Sequence, residues 1–126
     1  MTLLLACSSA ESATGPIRRE RVAAQLLSPA FALPDSLERG TPLTVRVLSG
    51  GGGCHEVGGT DVRIEGLTAE ITPFDYEYKN ANCAAVVLQF DHVITLTFGD
   101  VGMATIRVYG HPGVQTKQLK IWRRTS

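Results

Sequence analysis

Cys54 and His55 stand side by side, and a thiol beside an imidazole is the pairing that a cysteine nucleophile uses. On an extended chain neighbouring side chains point to opposite faces, and a bridged Cys54 has no thiolate to offer. Adding Cys83 and His92 brings four zinc-type ligands, but no Cys-x-x-Cys pair or other ligand spacing joins them. Asp75 and Glu77 share a face if residues 74–78 form a strand, with Glu56 and Asp61 in the nearby loop region. Carboxylates so placed hold calcium in some extracellular modules, yet the oxygen-rich spacing of a dedicated loop is absent, so a solvated polar face is expected. No metal, cofactor or catalytic residue is assigned on this basis. His92 falls in the inward register between Phe90 and Ile94 and reads as a neutral core histidine. His111, before Pro112-Gly113, reads as a turn residue in solvent. Phe74, Tyr76 and Tyr78 form an aromatic ladder two residues apart. Packing across a sheet is the common use of such a ladder; a platform for a glycan or peptide is the functional one, and it makes these three the candidate binding surface. The run Gly50 to Gly53 lacks the Lys-Ser/Thr of a phosphate cradle and reads as a flexible loop tip.

The elements that must position these residues are strands. Leu43, Val45 and Val47 alternate with Thr44 and Arg46, and Val62 and Ile64, expected inward, alternate with Asp61, Arg63 and Glu65. Residues 69–72, 88–98, 104–109 and 118–122 repeat the pattern, with the even positions of 88–98 inward. Helical spacing is nearly absent; residues 20–27 read as an edge strand stopped by Ser28-Pro29. Turn signals at 28–29, 39–40, 50–53, 58–59, 79–80, 99–102 and 111–113 separate these runs. About seven short strands with no helices between them predict an all-β, antiparallel sandwich.

The totals agree with one domain. The chain has 126 residues, 44% of them apolar, enough for a single packed core. Twelve basic and twelve acidic residues cancel, so the positive footprint of a nucleic-acid binder is missing. No apolar run approaches the roughly 18 residues that span a bilayer.

Three cysteines is an odd number. Pairing Cys54 with Cys83, both beside turn residues, leaves Cys7 alone near the N-terminus. The competing reading is a cytosolic protein with three free thiols. A bridge would tie two loops at one end of the sandwich and imply an oxidising compartment.

Leu4-Leu5-Ala6-Cys7 resembles the bacterial lipobox, whose cysteine receives a lipid. The resemblance implies lipidation of Cys7, a membrane partner through that lipid, and a cell-envelope location. Ser8 after it resembles an outer-membrane sorting signal in bacteria with two membranes. Residues 8–20 begin small and polar, as a tether should, and extend to roughly 45 Å at ~3.4 Å per residue. Residues 1–6 are shorter than the charged and apolar regions of a signal peptide, so the true start is expected upstream. The expected organisation is a residual signal segment (1–6), a tether (7–20) and a sandwich (21–126).

The segment Phe98-Gly99-Asp100-Val101-Gly102 through Tyr109-Gly110 resembles the penultimate strand of bacterial immunoglobulin-like domains. The Gly-rich loop bearing Cys54 and the later Asn82-Cys83 resemble uncharacterised bacterial lipoproteins with such domains. Met103 and Ala104 stand where an aromatic is usual, and both the tyrosine corner and a Trp between the cysteines are missing. The expected function is a non-enzymatic cell-envelope module acting by binding or structural presentation, with a glycan, peptide or protein as ligand. The alternative is an inhibitor-like or accessory domain acting on a secreted enzyme through its loop end.

Overall fold

A computed structural model describes residues 16–124, which form nine strands in two sheets and no helix. Cys7 and the rest of residues 1–15 lie outside the described residues. The strands are β1 (Arg18–Ala23), β2 (Gln25–Leu26), β3 (Ser36–Glu38), β4 (Leu43–Gly51), β5 (His55–Glu65), β6 (Thr68–Lys79), β7 (Leu88–Leu96), β8 (Gly102–Tyr109) and β9 (Val114–Trp122). One sheet runs β5, β6, then β1 and β8, then β9 and β3; the other runs β2, β4, β7.

Strand β6 organises the larger sheet because it has more neighbours than a strand has sides. Antiparallel β5 lines one edge, from His55 opposite Glu77 to Glu65 opposite Thr68. Along the other edge, β8 pairs in parallel with Thr68 to Ile71, and β1 takes over from Phe74 to Lys79. Pro73 sits at the changeover. It has no N–H to give, and β5 bulges opposite it between Val57 and Thr60. Gly58 allows that bulge to lie close: a Cβ there would stand 2.7 Å from the carbonyl carbon of Asp75. The sequence placed a turn at Gly58-Gly59; the two glycines instead lie inside one continuous strand.

The count of nine strands corrects the expected seven. Residues 20–27 do not form one edge strand, because the chain changes sheets at Ala24. The Ala24 N–H donates to Pro73 O at 3.1 Å, the His111 N–H donates to Ala24 O at 2.9 Å, and the Leu26 N–H donates to His111 O at 2.8 Å. Leu26 pairs with Ser49 in the other sheet. Strand β1 also begins at Arg18, inside the segment read as tether. Strand β3, too short to show alternation, adds to β9 in parallel, so two of the pairings are parallel within a mainly antiparallel fold. Gly50 and Gly51 pair with Gln89 and Leu88; half of the supposed loop tip is strand.

The core lies between the sheets. Val45 and Val47 of β4, Ala69 and Ile71 of β6, Ile106 and Val108 of β8, Leu119 and Ile121 of β9, and Leu96 and Phe98 pack together there. Alternation delivers each of these side chains to one face, and each fully buried Val, Leu, Ile or Phe is worth about 1.5–3 kcal/mol of transfer free energy. Gln115 fastens the irregular stretch that leads to β3: its amide donates to Leu27 O at 2.6 Å and accepts from the Ala30 N–H at 2.9 Å. Ala30 and Phe31 are thereby held in the core.

Candidate functional site: a cleft at the bridged end

Cys54 and Cys83 form a disulfide, with Cα atoms 5.1 Å apart. It joins the turn before β5 to the loop between β6 and β7, and so ties two loops at one end of the molecule. Gly53 is required there, because a Cβ would meet Ala84 O at 2.5 Å and Ala84 N at 2.8 Å. The Tyr78 N–H donates to Cys54 O at 2.8 Å and holds the same turn against β6. The loop carries Val86 and Val87, and Val87 is 96% exposed.

Beside the bridge opens a cleft of about 520 Å³, within the usual range for small-ligand sites. Its apolar lining comes from Val22 and Ala23 of β1 and from Val86 and Val87 of the loop before β7. Gly50 to Gly52 present backbone along the rim, and Gln25, His55, His111, Asp75 and Glu77 supply the polar groups. His55 is oriented by its own turn: Nδ1 accepts from the Gly52 N–H at 2.9 Å. The neutral ring therefore carries its proton on Nε2, which faces Glu77 Oε2 at 3.7 Å. Glu77 accepts from Lys79 Nζ at 2.5 Å. That hydrogen bond, with smaller help from the charges of Lys79 and His55, holds its carboxyl below the usual range.

Asp75 is the exception among these groups. The sequence put it with Glu77 on a solvated face, but it is 2% exposed and points between the sheets. Residues 69, 71, 73 and 75 share the inward register of β6, and Asp75 is the last of them before the sandwich opens. Burial pushes its carboxyl up, with the charge of His55 opposing. Oδ1 has no hydrogen-bond partner among the described residues. The nearest basic atom is His92 Nε2 at 3.6 Å, too long for a hydrogen bond.

His92 is itself 2% exposed, on the inward face of β7 as its register requires. Its Nε2 is engaged by Ser49 Oγ at 2.9 Å, and Thr60 Oγ1 lies 3.5 Å from Nδ1. Burial lowers the His92 pKa, with Asp91 opposing. Ser49, His92 and Asp75 thus meet between the sheets, a trio that motif reading missed. Shared inward parity on three strands was the signal that could have found it. Serine and acid approach the same ring nitrogen, whereas a hydrolytic relay needs them on opposite nitrogens, and Ser49 is fully buried.

The aromatic ladder lies on the outer face of β6 and is half-buried. Arg21 stacks over Phe74 at 3.8 Å and Arg19 over Tyr76 at 3.9 Å. The Tyr78 hydroxyl donates to Glu56 Oε1 at 2.6 Å, and this bond raises its pKa. Arg21 also reaches Gly58 O at 3.0 Å and Asp61 Oδ1 at 3.1 Å. Two ring faces are therefore covered by guanidinium groups. Glu56 and Asp61 are engaged here, away from Asp75 and Glu77, so the four carboxylates do not converge. Among the described residues no three His, Cys, Asp or Glu gather as a metal site. The Cys54, His55, Cys83, His92 set is divided between a disulfide, the cleft wall and the core.

The fold and site together define an all-β protein of two sheets with one disulfide beside a polar cleft. No family model, curated protein or solved structure matches the chain.

Proposed function

We propose that the protein is a non-enzymatic cell-envelope lipoprotein: an immunoglobulin-like sandwich, lipid-anchored through Cys7, that binds a ligand in the cleft at its bridged end. The observation that carries the binding reading is Asp75, a buried residue lining an open cleft whose Oδ1 has no hydrogen-bond partner among the described residues. A fold does not leave such a group unpaired without cost, and a ligand that brings a donor to it would offset that cost. The envelope address rests on Leu4-Leu5-Ala6-Cys7 and is supported by the disulfide, which needs an oxidising compartment. The immunoglobulin-like reading is supported by two face-packed sheets and an N-terminal segment that passes from one to the other at Ala24, between β1 and β2.

Two measurements test this. Mass spectrometry of envelope-extracted protein is expected to find an acylglyceryl group on Cys7; an unmodified thiol there refutes the anchor. Capture from envelope extract is compared with Gly52→Phe, where a new Cβ meets only ordinary contacts at 3.7 Å. Loss of the captured component in the filled cleft is expected, and undiminished capture refutes the cleft as the binding site.

One observation favours a second reading, an accessory or inhibitor-like domain acting on a secreted enzyme. Val86 and Val87 are exposed on a loop that the disulfide holds in place. Apolar side chains on a braced loop suit insertion into a partner protein. Val87→Asp would then abolish capture of that partner while Gly52→Phe would not.

A further inference from the structure

We propose that the cleft takes a primary ammonium group carried on an alkyl chain, the chemistry of a lysine side chain or a free aliphatic diamine, with Asp75 as its counter-charge. This rests on reading the cleft as the ligand site and adds the ligand's chemistry.

The charge balance of the lining sets the sign. Asp75 and Glu77 are both acidic, and no Lys or Arg stands among the described residues that line the cleft. An anion entering it would meet two carboxylates. Glu77 is already satisfied by Lys79 and faced by His55, so the unmet need is at Asp75. His92 does not meet it, since its Nε2 is engaged by Ser49 at 2.9 Å and stands 3.6 Å away. An ammonium brings three N–H donors and a full charge. A hydroxyl brings one donor and no charge, and so cannot act as a counter-charge to a carboxylate.

The walls set the rest of the ligand. Val22, Ala23, Val86 and Val87 supply apolar lining. An alkyl stem can lie against such walls while its charged head reaches further in, as lysine stems do on apolar surfaces. A guanidinium is flat and forked and calls for a bidentate acceptor. Asp75 Oδ1, enclosed and beside His92, suits a compact cation better.

The test is titration of the folded, oxidised protein, followed by the backbone amide resonances of Gly50 to Gly52, His55 and Asp75. The probes are 1,5-diaminopentane, an Ala-Lys-Ala peptide blocked at both ends, and the same peptide with the lysine acetylated. Shifts confined to the cleft with the amine probes, and none with the acetylated peptide, are expected. Response to the peptide alone marks a polypeptide lysine as the source; response to the diamine alone marks a small amine. Asp75→Asn keeps the shape and is expected to weaken binding ten-fold or more, in keeping with the strength of charge-assisted hydrogen bonds. Gln25→Lys places an ammonium in the lining itself and is expected to compete with the probes. Equal binding of the acetylated peptide, no response to either amine, or unchanged affinity in Asp75→Asn overturns the proposal. If the amines fail while an envelope component still maps to the cleft, only the ligand chemistry falls. If that component maps elsewhere, the reading of the cleft falls as well.

Discussion

Replacing Asp75 by Asn should stabilise the protein at neutral pH, although a buried polar contact is being altered. The side chain is 2% exposed and its Oδ1 has no partner among the described residues. Leaving a buried polar group unsatisfied costs about 1–3 kcal/mol, more when it is charged. Asparagine has nearly the same shape and removes the charge, leaving a neutral amide whose burial costs less. The expected gain is about 1–2 kcal/mol, or roughly 1 M in the urea midpoint for an m-value near 1.5 kcal/mol/M. The pH dependence separates this cause from repacking. Burial raises the Asp75 pKa above its ordinary value of 3.8, so between 3.8 and the folded value the native state binds more protons than the unfolded chain. Native stability therefore falls as pH rises through that window, and the full cost is present above it. The advantage of Asp75→Asn should be complete above the folded pKa and shrink toward zero as the pH falls through the window toward 3.8. Urea unfolding of both proteins at half-unit intervals reads this directly. A variant less stable than the parent at pH 7, or an advantage undiminished at pH 4, refutes the reasoning.

His92 works in the opposite sense. Burial holds its pKa below 6.5, so the unfolded chain takes the extra proton and stability is lost as the pH falls below about 6.5. His92→Gln should flatten that part of the urea stability profile; an unchanged slope refutes the assignment. Replacing Cys54 and Cys83 by serine opens a loop of 29 residues' separation and should cost about 3–4 kcal/mol. A dithiothreitol titration of the parent, followed by urea unfolding, should lose the same amount. Gly58→Ala forces a Cβ to within 2.7 Å of the Asp75 backbone, and should lower the thermal midpoint and shift the Asp75 amide resonance; no change would mean the bulge is loosely held. Ile71→Ala in the fully buried core should cost about 2–5 kcal/mol by calorimetry.

Alternation made most of the fold readable because each buried position is set by one strand's parity, but it misplaced Val62 and Ile64, which lie exposed on the edge strand β5. Val45, Val47, Ile106, Val108 and His92 needed no knowledge of their neighbours. What alternation cannot carry is which strands meet. The crossing at Ala24 depends on Pro73 O and on His111, residues far away in sequence. The parallel pairing of β3 with β9 leaves no local trace in three residues. Gly58-Gly59 looked like a turn because a bulge and a turn call for the same residues. Asp75 was misplaced for a different reason: its parity agreed with Ala69 and Ile71, but its charge suggested water. The aromatic ladder was visible as a face, whereas the two arginines that cover it come from β1.

The pairing of Arg18 with Lys79 fixes where the polypeptide enters the sandwich. It enters at the end that carries the disulfide, where the Asn80 side-chain amide also donates to Pro16 O at 3.3 Å. A domain suspended from residues before Pro16 would hang by its working end. With the proposed anchor at Cys7, the cleft would face the lipid surface rather than the open medium, and its ligand would have to enter the gap between the two. The length of the segment from Cys7 to Pro16 would then set how large a molecule the cleft can admit, a size filter separate from anything its walls provide.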